Sequence, residues 1–202
     1  MNRWPKKPLG EVCAINPKLK VSEVPASDAQ VTFVSMAAVD QVRGSIARPE
    51  IRRYSQVAKG YTPFRENDVL FAKITPCMQN GKAAIARGLC GGLGFGSTEF
   101  HVLRPNRDLL PPWVFAFIRQ PSFRAVAEAH FTGSAGQQRV PTDFLKNFPI
   151  PVPPLAEQER IVKLLHEADE LRKLRAQADR RTADLIPALF QEMFSENPEL
   201  LT

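Results

Sequence analysis

Between Leu155 and Ile186 the chain contains neither glycine nor proline, and Ala, Leu, Glu, Lys, Arg and Gln dominate. These residues favour helix at almost every position, so the stretch reads as one long helix, about 48 Å at 1.5 Å per residue. Immediately before it, Phe148-Pro149-Ile150-Pro151-Val152-Pro153-Pro154 forbids helix and removes ladder donors, which leaves an extended, edge-like segment or linker. Pro154 suits the first helical position, and Glu157 and Glu159 suit the positive end of the helix dipole. The change of character divides the chain into residues 1–152 and residues 153–202.

The long helix carries a heptad seam. Leu164, Leu171, Ala178 and Leu185 fall seven apart, and Ile161, Ala168, Arg175, Thr182 and Leu189 form the companion series, with Leu165 and Leu174 widening the face. A head of ordinary compactness is only about 30 Å across, so such a rod overhangs it and its apolar stripe needs a partner. Ile161, Leu164, Ala168, Leu171, Arg175, Ala178, Leu185 and Leu189 are the expected dimerisation residues. The alternative is that the helix folds back as one more core helix of its own domain. Pro187 is expected to kink it, leaving Ala188 to Phe194 as a short capping segment with Leu189, Phe190 and Met193 apolar.

Residues 1–152 are rich in proline and glycine and read as an α+β domain. Candidate strands are Val31 to Met36, Asp68 to Lys73, Ala83 to Ala86 and Thr98 to Leu103, bounded by turns such as Asn80-Gly81 and Pro105-Asn106. One helical stretch, Pro112 to about His130, interrupts them, and Pro121 predicts a break within it.

The 202 residues are 44% hydrophobic and 24% charged, which fits a globular chain and excludes wholesale disorder. No apolar run is long enough to span a bilayer, and Met1 to Lys7 is basic without an apolar segment behind it, so a cytoplasmic protein is expected. The charge is uneven. Residues 1–154 hold 20 Lys+Arg against 11 Asp+Glu, residues 155–202 hold 7 against 10, and the whole chain is +6. A polyanion would therefore meet the amino-terminal part.

Catalytic signatures are missing. His101, His130 and His166 are scattered, and Cys13, Cys77 and Cys90 form no Cys-x-x-Cys pair, so neither a metal site nor a cofactor is expected. Gly91-Gly92-Leu93-Gly94-Phe95-Gly96 lacks the Lys-Ser/Thr of a phosphate loop and reads as a glycine-rich turn leading into the strand at Thr98. Leu110-Pro111-Pro112-Trp113 lacks the polar first residue with which adenine methyltransferases hold an extruded amine. No Asp/Glu-x-Lys triplet is present for a metal-dependent nuclease. A binding module with an assembly helix remains.

The residues now resemble a known family, the specificity subunits of type I restriction-modification systems, in a half-length form with one target recognition domain and one helical region. The resemblance rests on Trp4 to Val12, Gly60-Tyr61-Thr62-Pro63-Phe64, Asp68 to Pro76, Gly81-Lys82 and Gly96-Ser97-Thr98-Glu99-Phe100. Its most specific part is Pro149 to Val162, where the domain passes into its helix. The resemblance implies a non-catalytic DNA-recognition subunit whose helices pair antiparallel and space two recognition domains on a bipartite site. It also implies modification subunits that dock alongside and bring S-adenosylmethionine, and through them a restriction subunit. Typical members hold two recognition domains and two helical regions; this chain has one of each, which favours a homodimer on an interrupted palindrome, half-site centres at most about 14 base pairs apart.

Two segments mix base-reading and phosphate-binding residue types, Lys73 to Lys82 around an Asn-Gly turn and the flexible Thr132 to Arg139. Gln79, Asn80, Gln137, Gln138 and Arg139 are the expected base readers, and Arg52, Arg53, Lys73 and Lys82 the expected phosphate contacts. Each has an ordinary reading beside it: Asn80 as a turn residue, Gln137 and Gln138 as local backbone partners, Arg52-Arg53 as a solvated edge. A freestanding dimeric DNA-binding regulator and a protein-interaction adaptor are the competing classes.

Overall fold

The structure, a computed structural model, describes residues 4–134 and 136–196, with the side chains of residues 194–196 outside that set. The ends of the two expected domains at residues 1 and 202 and the Phe194 side chain of the expected capping segment lie outside the described residues. The chain divides into two compact units, one running through Glu159 and the other from Arg160.

The first unit opens with β1 (Lys6–Pro8), α1 (Leu9–Val12) and β2 (Cys13–Ile15), followed by β3 (Gln30–Val34), β4 (Val39–Asp40), β5 (Ser45–Ile46) and β6 (Glu50–Arg53). After α2 (Tyr54–Val57) come β7 (Thr62–Arg65), β8 (Val69–Ala72), β9 (Ala83–Ile85), β10 (Leu93–Gly96) and β11 (Phe100–Pro105). Helices α3 (Pro111–Ile118), α4 (Pro121–Ala129) and α5 (Thr142–Asn147) lead to β12 (Pro149–Pro151) and α6 (Leu155–Glu196). Two four-stranded sheets carry the fold, in orders β6-β3-β10-β7 and β2-β11-β8-β9; β1 pairs with β12 and β4 with β5. Every pairing is antiparallel except β10 with β3.

The α+β reading holds, and the four expected strands are present with ends shifted by one or two residues. The single helical stretch is two helices, α3 and α4, separated at Arg119 and Gln120 with Pro121 opening the second, the break that proline dictates. Gly91 to Gly96 departs from its reading as a turn before Thr98. Gly91 and Gly92 do turn, at φ 62° and 69°, but Gly94 and Gly96 lie inside β10, at the centre of a sheet. The reason is packing: a Cβ on Gly94 would run into the buried Phe64 ring of neighbouring β7. Small residues here admit a large one opposite.

The cores explain the strand patterns. Val34, Val39, Phe64, Leu70, Phe100 and Val102 form one buried cluster, and Val31, Phe33, Val57, Leu93 and Phe95 another. Fully burying such a side chain contributes about 1.5–3 kcal/mol, so short strands suffice when both faces are covered. Beyond them, Phe117, Phe123, Phe144 and Phe148 pack ring on ring across α3, α4 and α5. Cys13 is buried, which pushes its thiol up to about 12 and leaves it an inert core side chain.

The proline-rich segment is an edge strand, as its missing donors require. Ile150 is buried and faces Lys7 in β1, the Leu9 amide donates to the Phe148 carbonyl at 2.9 Å, and the Trp113 indole donates to the Pro151 carbonyl at 3.0 Å. The head continues past residue 152 into the first turn of α6 because Gln158 is fully buried there.

The second unit is the remainder of α6. Leu164, Leu171, Leu185 and Leu189 of the heptad stripe are 52%, 67%, 53% and 48% exposed, and Ile161 is half-buried. Ion pairs at three- and four-residue spacing, Lys163 with Glu167 and Asp169 with Arg172 and Lys173, line its polar side. The helix passes through Pro187 and runs to Glu196, about 63 Å at 1.5 Å per residue, longer than the stretch ending at Ile186. Proline costs one backbone hydrogen bond to Ala183, and the turns on either side hold the helix together.

Candidate nucleic-acid interface

The two polar segments, 60 residues apart in sequence, are one surface. The Thr75 amide donates to the Gln138 carbonyl at 3.0 Å, the Gln138 amide to the Thr75 hydroxyl at 3.3 Å, and that hydroxyl to the Gly136 carbonyl at 3.4 Å. The Val140 amide donates to the Lys73 carbonyl at 2.9 Å, and Ile74 and Arg139 form an isolated antiparallel bridge. Thr132 and Arg139 exchange backbone bonds at 3.0 and 2.9 Å, so Gly133 to Gln138 is a closed loop on a two-residue stem.

Each loop has its own anchor. Residues 74–82 wind back on themselves through bonds from Met78 to Ile74, Asn80 to Pro76, Gly81 to Met78 and Lys82 to Cys77, with the Met78 side chain fully buried. Gly81, at φ 69°, supplies the turn that Asn80-Gly81 foretold. On the far side Gln79 donates from its amide to Glu128 of α4, and Arg124 of α4 donates to the Gln79 carbonyl.

Glu99, immediately before β11, grips the stem. Arg139 donates from Nε at 2.9 Å and Nη2 at 2.8 Å to the two carboxylate oxygens of Glu99, and from Nη1 at 2.9 Å to the Gln137 carbonyl. These bonds hold the Glu99 carboxyl below its ordinary range against a smaller opposing effect of burial, and raise the Arg139 guanidinium further.

Beneath the stem lies His101 of β11, 2% exposed. The Val140 carbonyl only accepts, so Nε2 carries the proton and donates to it at 2.8 Å; Nδ1 accepts from the Asn16 side-chain amide at 3.0 Å. Burial pushes its pKa down to about 4, the Val140 bond opposes that, and the Lys73 cation adds to it. Between pH 6.5 and 4 the unfolded chain binds the proton that the folded chain refuses, so stability falls as the pH falls. The expected loss from pH 7 to pH 5 attributable to this one group is about 2 kcal/mol, read as the difference in urea unfolding between the wild type and His101→Gln across that range.

The site residues read from the sequence sort as follows. Lys73, Gln79, Asn80, Lys82, Gln137, Gln138 and Arg139 all lie on the joined loops, with Gln79, Asn80 and Gln137 exposed. Lys82 donates to the Met36 carbonyl at 3.0 Å, and Arg139 is committed to Glu99. Arg52 and Arg53 lie elsewhere, on β6 at the edge of the other sheet; Arg52 bonds Glu50 at 2.7 Å and stacks 3.7 Å from the Phe33 ring centroid. Sequence reasoning missed Thr75, Glu99 and His101. The bonds that tie them to Gln138, Arg139 and Val140 span 39 to 63 residues, and no spacing rule reaches that far.

Among the described residues no group of three or more His, Cys, Asp or Glu could hold a metal, and no helix is long and apolar enough to cross a membrane. An open cleft of about 310 Å³ between Arg65, Asp68, Arg104 and Leu109 has its Asp68 and Arg104 paired with each other.

The described architecture is a two-sheet head whose polar side chains gather on cross-tied loops, followed by a long helix. The model of the type I restriction modification DNA specificity domain matches residues 1–179. This chain belongs to that family. It is 41% identical over 173 residues to the type I restriction enzyme EcoEI specificity subunit of Escherichia coli, covering 83% of this chain and 29% of that one. It is 42% identical over 160 residues to the EcoAI specificity subunit of the same organism, covering 79% and 27%. Among solved structures, the HsdS subunit from Thermoanaerobacter tengcongensis superposes with a TM-score of 0.68 at 29% identity, over 90% of this chain and 47% of that one. A chain from a structure of a type I R-M system in complex assembly and conformational transition gives 0.69 at 28%, over 89% and 46%. The chain thus spans under a third of the curated relatives and just under half of the structures.

Proposed function

We propose that this chain is the non-catalytic DNA sequence-recognition subunit of a type I restriction-modification complex, working in the cytoplasm. The observation that carries the reading is the union of two polar loops into one surface, on a head of the specificity-domain family with a net positive sequence. Asn80, Gln137 and Gln138 offer paired donors and acceptors to base edges, Gln79 keeps its carbonyl oxygen as an acceptor while its amide holds Glu128, and Lys73 and Lys82 supply charge for phosphates. Arg52 and Arg53 extend the positive surface along a separate edge strand. The head through Glu159 serves as the recognition domain and the rest of α6 as the assembly helix.

The second half of the reading is assembly. Two copies pair antiparallel through Ile161, Leu164, Ala168, Leu171, Arg175, Ala178, Leu185 and Leu189, and modification subunits dock on the pair, with a restriction subunit through them. The unburied stripe supports this, since apolar side chains left in water gain about 25 cal/mol per Å² on burial. A twofold axis presents two identical readers in inverted orientation, so the target is an interrupted palindrome.

Methylome sequencing of a host that expresses this chain with its modification subunits tests both halves. The expected result is adenine methylation at a bipartite, self-complementary motif that disappears when the chain is deleted. An asymmetric motif would overturn the homodimer, and methylation unaffected by deletion would overturn the recognition role.

A further inference from the structure

Arg139 has the side chain of a base reader and the geometry of something else. Each nitrogen of its fork is engaged by the head, Nε and Nη2 on Glu99 and Nη1 on the Gln137 carbonyl, although 39% of the side chain stays exposed. Its backbone closes the loop stem with Thr132 and bridges to Ile74. Glu99 is itself fixed, its amide donating to the Ser97 hydroxyl at 3.2 Å and its carbonyl accepting from the Lys73 amide at 2.9 Å. One ion pair therefore ties the start of β11, the first residue of one polar loop and the last residue of the other. The loop between, Gly133 to Gln138, contains two positive-φ glycines, at 113° and 86°, and among its described residues no buried side chain. Its position depends on its stem.

We infer that Glu99 and Arg139 are positioning residues for DNA discrimination: the pair holds the Gly133–Gln138 loop against the Lys73–Lys82 loop, and the bases are met by the side chains so presented. This rests on the DNA-recognition reading above and deepens it. It also reverses the sign of one expectation. If Arg139 itself met a base, removing Glu99 would release its fork toward DNA; if the pair positions the loop, removing either partner does the same damage.

The test uses the full chain and a pool of duplex DNA with a randomised segment. Sequences enriched by the wild type are compared with their single-base-pair variants and with unrelated duplex, for the wild type, Arg139→Ala, Glu99→Gln, the double variant and Arg139→Lys. Discrimination is expected to fall about tenfold in both single variants, with affinity for unrelated duplex changed less than about threefold. The double variant is expected to lose no more than either single, the mark of two residues acting as a unit. Arg139→Lys keeps the charge and one bond and is expected to retain most of the discrimination. Hydrogen exchange on the same proteins should speed at the Thr75, Thr132 and Arg139 amides and remain slow in β8 and β11.

Undiminished or stronger discrimination in Glu99→Gln, or a double variant that loses the product of the two singles, would overturn the positioning role while leaving the DNA reading intact. Exchange that speeds through β8 and β11 as well would overturn its local nature. A wild type that enriches no sequence overturns the DNA reading and the inference with it.

Discussion

Replacing Gln158 with Leu is expected to lower the unfolding free energy by about 4 kcal/mol, one of the two largest effects of a single substitution in the head. Gln158 is fully buried in the first turn of α6. Its side-chain carbonyl accepts from the Leu110 amide at 2.9 Å, and its amide donates to the Asp108 and Pro153 carbonyls at 2.8 Å each. Leucine fills the volume and satisfies none of the three, and each buried polar group stranded in this way costs about 1–3 kcal/mol. The Leu110 amide is also one of the groups that opens α3, so the damage spreads to the helix that follows. Urea unfolding of Gln158→Leu beside Gln158→Glu measures it; an effect below about 1 kcal/mol would mean that water replaces the side chain.

Asp68→Ala is expected to cost about 3–4 kcal/mol. Asp68 stands where the chain passes from β7 in one sheet to β8 in the other, through a turn with Asn67 at φ 67°. Its 1% exposed carboxylate accepts from Arg104 Nε at 2.8 Å and Nη2 at 2.7 Å and from the Arg65 amide at 2.8 Å. Alanine leaves the Arg104 guanidinium without its fork partner and the turn without its internal tie. Arg104 keeps 27% of its side chain in water, which places the cost toward the lower end for a broken buried pair. Asp68→Asn should be little better, because its new N–H₂ faces guanidinium donors. The check is calorimetric: Tm depression in Asp68→Ala, with most of it removed when Arg104 is changed to Met in the same chain.

Both residues show how far the sequence could be read. The Pro149 to Glu159 run announced the passage from strand to helix, and its prolines and helix formers are local facts, each effective within a turn or two. Gln158 inside that run looked like any other polar helix residue, because its three partners come from a loop about 50 residues earlier and from the linker itself. The same holds at the interface. Asn80-Gly81 declared a turn and the glycines at 133 and 136 a loop, yet nothing local joined Thr75 to Gln138. Arg139 was read as a base reader from its chemistry alone, and only its 40-residue reach to Glu99 gives it a structural occupation. Glycines 94 and 96 mislead for the same cause: Gly94 is small on account of the Phe64 ring and Gly96 on account of the Val34 carbonyl, not on account of a turn.

By itself the sequence determined the α+β head, the break at Pro121, the edge strand among the prolines and the heptad helix, since each follows from torsional limits and periodicities that act over a few residues. The tertiary structure decided that two distant loops form one surface, that Glu99 and His101 support it, and that the head extends to Glu159. Those outcomes depend on hydrogen bonds and burial between segments whose separation in the chain carries no information about their separation in space.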